Sequence, residues 1–191
     1  SGGMRTIEAP NPALKKVQRD LLPELQRKLK PSHFAHGFMN KRNIVTAARP
    51  HVRKKFMLKI DVKDFYNSIK YDAFCNEVEI RDDDLKKKLK LCFREKTTKV
   101  KGGTKGQTYQ DVYLTQGSPT SPFLSNVFLR KFDWSIAWYA YYKGVVFTRY
   151  ADDLFFSGKD LNDLKQILQV VKAKLGQLGL TINNKKTRII K

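Results

Sequence analysis

Gly144-Val145-Val146-Phe147-Thr148-Arg149-Tyr150-Ala151-Asp152-Asp153-Leu154-Phe155-Phe156-Ser157-Gly158 is the stretch on which the reading of this chain turns. A β-branched and aromatic run leads up to two adjacent acids, and a second apolar run leads away to Ser157-Gly158. That pattern predicts a hairpin of two buried strands with the carboxylates at its turn. Adjacent carboxylates in such a place repel each other and lose solvation unless a cation or a basic group neutralises them. A tight hairpin turn prefers Asn-Gly or Asp-Gly, which reach positive φ at little steric cost. Tyr150-Ala151-Asp152-Asp153 is a poor turn by that standard, so the acids are expected to serve chemistry. The plainer alternative is a solvated turn that happens to be acidic.

The rest of the composition gives those acids a context. The chain has 191 residues, enough to bury a core, and 38 basic against 18 acidic residues leave a net charge of +20. An excess that large points to a polyanionic partner, nucleic acid first and an anionic membrane second. No apolar run approaches the roughly 18 residues needed to span a bilayer, and no signal peptide opens the chain; with nucleic acid the preferred polyanion, no membrane partner is expected. Cys75 and Cys92 lie far apart without metal or redox spacing and read as reduced structural thiols of a cytosolic protein. His33, His36 and His51 lack neighbours at zinc spacing and are expected to pack or to hydrogen-bond.

In chain order, apolar residues from Leu14 to Leu29 recur at helical spacing, and Pro23 should kink or split that helix. Residues 34–49 read as an irregular connection, and 56–61 as a short strand ending on Asp61. A helix is expected at 71–78. A second should open at Asp82-Asp83-Asp84 and run to about Phe93, the aspartates serving as a cap rather than a metal site. Residues 96–110 look like an exposed loop or hairpin tip. Thr115 to Pro122 forms a turn and the start of a helix carrying Phe123, Leu124, Val127, Phe128, Phe132 and Ile136. Asp160 can cap a last helix with an apolar stripe from Leu161 to Leu178, and 180–182 and 187–190 look like strands. The sum is an α+β layer, helices packed against a small and mainly antiparallel sheet.

Asp61, Asp152 and Asp153 thus all fall at strand ends. If the first strand lies beside the central hairpin, their carboxylates converge at one edge. Hard oxygen donors on a basic protein suit Mg²⁺, which takes its remaining ligands from water and phosphates. Two such ions about 4 Å apart activate a hydroxyl nucleophile and stabilise a departing phosphate. Nucleotidyl transfer on a nucleic acid is the expected chemistry, with nuclease action the open alternative.

Four segments together resemble the successive palm motifs of reverse transcriptases: Asp61-Val62-Lys63-Asp64-Phe65-Tyr66, Gln116-Gly117-Ser118-Pro119-Thr120-Ser121-Pro122, Tyr150-Ala151-Asp152-Asp153 and 178–187. The residues at 3–10, 36–38, 44–51 and 154–158 are most similar to bacterial retron reverse transcriptases, with group II intron reverse transcriptases next. The resemblance implies a polymerase palm, its antiparallel sheet carrying helices on one face in a split βαβ-like arrangement, plus partial fingers and no thumb. It places partial fingers at 1–55, the first catalytic strand and turn of the palm at 56–70, a helical fingers-side insertion and loop at 71–110, and the rest of the palm at 111–191.

Residue by residue, the resemblance implies that Asp61 and Asp152, with Asp153 beside them and the Val62 carbonyl, ligate two Mg²⁺ ions, for which Mn²⁺ can substitute. Tyr66 lies under the incoming sugar and excludes a ribose 2′-hydroxyl. Gln116 and Gly117 contact the nascent base pair, Arg5 grips the triphosphate, and Tyr150 packs near the primer end. Lys186 protonates the departing pyrophosphate, Lys185 being the one-residue alternative. The implied partners are dNTPs, an RNA template and primer in the form of a structured non-coding RNA, the cDNA product and an effector protein. The implied setting is bacterial, cytoplasmic and antiphage. The Asn of the family's Asn-Ala-x-x-His element is replaced, since Ala47-Ala48-Arg49-Pro50-His51 stands there. A group II intron or CRISPR-associated reverse transcriptase, and a palm-fold nucleic-acid-binding module retired from catalysis, are the competing expectations.

Overall fold

The computed structural model describes residues 9–99 and 108–191. Along the chain run α1 (Pro12–Lys28), α2 (Ile44–Ala48), a 3₁₀ turn (Arg49–His51), β1 (Phe56–Asp61), α3 (Phe65–Ser68), α4 (Tyr71–Val78), α5 (Asp83–Lys90), β2 (Arg94–Lys99) and β3 (Thr108–Tyr113). After these come α6 (Ser121–Phe128), α7 (Arg130–Tyr142), β4 (Val146–Tyr150), β5 (Asp153–Gly158), α8 (Leu161–Gln177) and β6 (Arg188–Ile190). None of the described helices is long and apolar enough to cross a membrane. The chain divides into two compact units, one from the segment ending at Lys28 together with Tyr66–Ser121, the other from Leu29–Phe65 and Pro122–Lys191.

In the first unit, α1 continues through Pro23 as a single helix, so of the kink or split expected there the split does not occur. Its inward residues Gln18 and Leu25 are buried. Gln18 is satisfied there, its amide donating to the Leu91 carbonyl (2.9 Å) and its oxygen accepting from Ser118 Oγ (2.9 Å). Asp82 is the cap it was read to be, accepting from the backbone N–H groups of Asp84 and Leu85. That contact, with Lys28 beside it, holds its carboxyl below the usual range. Phe93 packs edge-on against Tyr71 and Phe74. The stretch read as an exposed loop or hairpin tip at 96–110 supplies strand residues to an antiparallel pair, β2 with β3, and residues 100–107 lie outside the described residues.

The second unit is a four-stranded antiparallel sheet in the order β4-β5-β1-β6 with helices packed on it. Cross-strand register sorts its side chains by face. Leu58 lies opposite Phe156, and Ile60 opposite Leu154. These four are fully buried and make the helix face, where Phe147 stacks on Phe156 at 4.8 Å. Leu164, Ile167, Val171 and Leu175 of α8, and Phe132, Ile136 and Ala140 of α7, are the buried apolar residues of these two helices. Asp160 caps α8 through the Asn162 N–H. The helix expected to run unbroken from Ser121 past Ile136 is two helices, α6 and α7, parted at Leu129.

The alternate residues make the second face: Met57, Lys59 and Asp61 on β1 pair with Ser157, Phe155 and Asp153 on β5. Residues 34–49, read as irregular, contain α2, started by an Asn43–Thr46 capping box. The 3₁₀ turn that follows carries His51 onto this second face. His51 Nε2 lies 2.8 Å from Thr148 Oγ1 and Nδ1 lies 2.7 Å from Ser157 Oγ. Thr148 spends its hydroxyl hydrogen on the Ala47 carbonyl (3.1 Å), so Nε2–H donates to Thr148 and Nδ1 accepts from Ser157. Burial pushes the imidazole down to about 4, which keeps it neutral.

Candidate active site at the turn between β4 and β5

The second face ends at three carboxylates. Asp61, the last residue of β1, is 6% exposed and stands opposite Asp153, the first residue of β5. Tyr150, at the end of β4, pairs with the same Asp153. Asp152 lies in the turn between them, and its carbonyl accepts from the Val62 N–H at 3.1 Å. Lys186 Nζ approaches Asp61 Oδ1 to 3.0 Å, and Lys59 Nζ approaches Asp153 Oδ2 to 2.8 Å. Asp152 is held above its ordinary value by burial first, and then by the charges of Asp153 and Asp61.

The turn is narrow and strained. Ala151 adopts φ +55°, a left-handed conformation that costs a non-glycine residue about 1 kcal/mol. Three contacts over-determine it. Besides Val62 on Asp152, Arg149 Nη1 donates to the Ala151 carbonyl at 3.0 Å. Gly37 fits behind the bend so closely that a Cβ there would stand 2.8 Å from Ala151 N. The segment around Gly37 is tied to β4 by Arg149 N–H to the Phe34 carbonyl (2.9 Å) and His36 N–H to the Arg149 carbonyl (2.7 Å). Asn126 Nδ2 donates to the Gly37 carbonyl at 2.9 Å.

Arg149 is the hub. It is opposite Leu154 and so belongs to the helix face, where its guanidinium is wholly buried. Nε and Nη2 grip the equally buried Asp133 at 2.7–3.0 Å, and Nη1 reaches Asn126 Oδ1 at 2.9 Å. Sequence reasoning passed over Arg149, Asp133, Asn126 and Gly37. One signal was available: the helical period that turns Phe132, Ile136 and Ala140 inward also turns Asp133 inward, and a buried acid requires a partner.

Lys186 is set over Asp61 by its own turn. The Asn183 N–H donates to the Asp61 carbonyl (2.7 Å), and the Asn183 carbonyl receives the N–H groups of Lys186 and Thr187. Ile182 bridges Val62 just before it. Tyr66, Gln116 and Gly117 belong to the first compact unit. Within it, Tyr66 lies in α3, and Gly117 follows Gln116 at φ +99°, a conformation that glycine alone adopts freely. Arg5 falls outside the described residues.

Among the described residues no three of His, Cys, Asp or Glu stand grouped as a ready metal site; Asp61 and Asp153 each meet a lysine instead. The donor chemistry nevertheless fits a hard divalent cation. Three carboxylates are brought to one sheet end by register, and the middle one is kept less acidic by burial first and then by its neighbours' negative charge.

The chain matches, over residues 1–191, a family model described as reverse transcriptase (RNA-dependent DNA polymerase). It is 35% identical over 194 residues to the retron Mx65 reverse transcriptase of Myxococcus xanthus, covering 99% of this chain and 45% of that one. It is 33% identical over 186 residues to the retron Ec86 reverse transcriptase of Escherichia coli, covering 97% and 54%. The chain therefore spans about half the length of these curated relatives. Among solved structures, apo telomerase from Candida tropicalis truncated from its C-terminal domain superposes with a TM-score of 0.54 at 15% identity, covering 96% of this chain and 41% of that one. Telomerase from Candida albicans with a TWJ fragment of telomeric RNA gives 0.53 at 13% identity, covering 96% and 32%. At those identities the likeness is one of fold.

Proposed function

From its place in the reverse transcriptase (RNA-dependent DNA polymerase) family, to which this chain belongs, we propose that it supplies the catalytic palm of a retron-type RNA-directed DNA polymerase. The observation that carries this reading is the register of β1 on β5, which sets Asp61 opposite Asp153 with Asp152 in the adjoining turn. The family and the retron relatives support it, as does the basic charge of +20, suited to a nucleic-acid substrate. In this reading the palm is residues 56–70 and 111–191, with partial fingers at 1–55 and a fingers-side insertion at 71–110.

In this reading Asp61, Asp152 and Asp153, with the Val62 carbonyl, hold two divalent ions, Mg²⁺ or in its place Mn²⁺. Such ions, when bound, lower the pKa of a primer hydroxyl and stabilise charge on the departing pyrophosphate. The chain's own groups do the rest. The three contacts on the Tyr150–Asp153 turn fix where its carboxylates stand. Lys59 and Lys186 neutralise Asp153 and Asp61 when no substrate is bound, and both are accessible enough to be drawn away. Lys186 then gives a proton to the pyrophosphate as the bond from the α-phosphorus to its bridging oxygen breaks and the bond from the primer oxygen forms, the primer hydroxyl having lost its own proton to water. Tyr150 packs near the primer end, Tyr66 reads the sugar, Gln116 and Gly117 meet the nascent pair, and Arg5 holds the triphosphate. The template and primer are a structured non-coding RNA, copied into cDNA with dNTPs in the bacterial cytoplasm, alongside an effector protein in an antiphage system.

The test is primer extension on an RNA template with dNTPs and Mg²⁺, comparing the parent with an Asp152→Asn/Asp153→Asn variant. Extension by the parent alone supports the reading. Equal extension by both removes the carboxylates from the mechanism. If both stay silent even when the chain is extended beyond Lys191, the binding-module reading takes its place.

A further inference from the structure

Helix α7 has two unlike faces. Phe132, Asp133, Ile136 and Ala140 are buried, while Trp134, Trp138, Tyr141 and Tyr142 are 40%, 54%, 72% and 79% exposed. A helix lying on a sheet ordinarily turns charge outward; here the outward stripe is aromatic. Trp138 meets Tyr141 edge-on and Tyr142 at a tilt, each at 6.1 Å. Trp134 meets His33 and Phe34 edge-on at 5.4 Å. Beside this stripe, within the same compact unit, lies a cleft of about 870 Å³ whose walls include Lys30, His33, Arg42, Arg130, Trp134 and Trp138. None of the described residues lining it is acidic. Arg42 is fixed there by donating to the carbonyls of His33 and of Ala35, the latter at 2.9 Å.

We propose that this surface docks single-stranded RNA, its bases stacking on Trp134, Trp138 and Tyr141 and its phosphates meeting Lys30, Arg42 and Arg130. It shares no residue with the carboxylate site and does not depend on polymerase activity. Open aromatic faces beside cations are what unpaired nucleotides require: each base supplies a ring to stack and each phosphate a charge. The exposed tyrosines add hydroxyls able to bond a ribose 2′-hydroxyl, which DNA lacks. Aromatic residues and arginine also suit a protein interface, but a cleft carrying Lys30, Arg42, Arg130 and Lys131 with no acid among its described lining favours a polyanion. A second copy of this chain fits worst, because two bodies each carrying +20 repel.

Both tryptophans of the chain lie on this surface, so tryptophan emission reports on it alone. The experiment titrates the chain with a short oligouridylate, following emission together with the anisotropy of the labelled oligonucleotide. The expected result is saturable quenching that tracks the anisotropy. A Lys30→Glu/Arg130→Glu variant should bind about tenfold more weakly and with a shallower salt dependence. Trp138→Ala should bind about tenfold more weakly while Trp138→Phe restores binding, and the matching oligodeoxyuridylate should bind less tightly than the RNA. The Asp152→Asn/Asp153→Asn variant should quench like the parent, which separates this proposal from the polymerase reading. Three outcomes would overturn the proposal: RNA binding that leaves emission unchanged, DNA binding as tight as RNA, or emission that shifts with protein concentration alone. The last would make the stripe a contact between copies.

Discussion

Two sets of ion pairs flank the Tyr150–Asp153 turn, and they obey opposite rules. On the helix face, Arg149 and Asp133 are both 0% exposed and every contact is short. On the other face, Lys186 is 49% exposed where it meets Asp61, and Lys59 and Asp153 are each 26% exposed. A buried pair that loses one partner strands a charge in a medium that cannot solvate it. On the other face the lysine heads reach solvent and are re-solvated when they leave, although Asp61 itself is buried at 8% side-chain exposure and keeps part of the cost. The difference assigns labour: the buried pair fixes the frame of the turn, and the exposed lysines are counter-charges that can leave.

The largest expected effect breaks the buried side. Arg149→Ala should lose about 3–5 kcal/mol of unfolding free energy in urea titration. An Asp133→Leu change added to it should recover part of that loss, since no charge is then stranded. If Arg149→Ala proved as mild as a surface substitution, the distinction between the two faces would fail.

Next is the pH dependence set by His51. Its folded value of about 4 lies below the 6.5 of the free side chain, with burial the main cause. The unfolded chain therefore binds a proton that the folded chain refuses. The stabilisation is full above about pH 6.5 and is lost as pH falls toward about 4, amounting to up to about 3 kcal/mol. His51→Gln should flatten the melting temperature across that window.

Smaller effects sharpen the comparison at the turn itself. Gly37→Ala would push a methyl against Ala151 N and should cost about 1–3 kcal/mol, with slowed extension because the carboxylates shift. Lys186→Ala should cost clearly less stability than Arg149→Ala, because the lysine itself is half solvated while only Asp61 is buried, yet slow extension, most strongly in the chemical step measured by single turnover. A loss of stability comparable to that of Arg149→Ala would make Lys186 structural instead.

How far the sequence revealed this arrangement depended on whether a feature is local. The hairpin was legible because its apolar runs are continuous, and the caps at Asp82 and Asp160 because a cap acts within three residues of itself. The opposition of Asp61 and Asp153 followed once β1 was placed beside the hairpin. Pro23 does not divide α1, because tertiary packing holds the helix together through a residue that an isolated helix tolerates poorly. The break at Leu129 carries no glycine or proline to announce it. Arg149 in an apolar strand reads as an edge charge; its meaning rests on Asp133, 16 residues away on a helix, and only the fold joins them. Gly37 is the same kind of case, its need for a bare Cα coming from a turn more than a hundred residues later. Long-range pairings of polar groups leave no periodic trace.

The central claim is that the three carboxylates are retained for chemistry at a cost to stability. Asp152 tests it most directly, because burial and its two acidic neighbours already disfavour its charge. Extension and unfolding free energy at neutral pH should be measured on the same preparation of Asp152→Asn, which keeps the shape and removes the charge. The account predicts that extension is abolished while the folded state is as stable as the parent or more so. Loss of stability together with activity, or activity that survives the change, would contradict it.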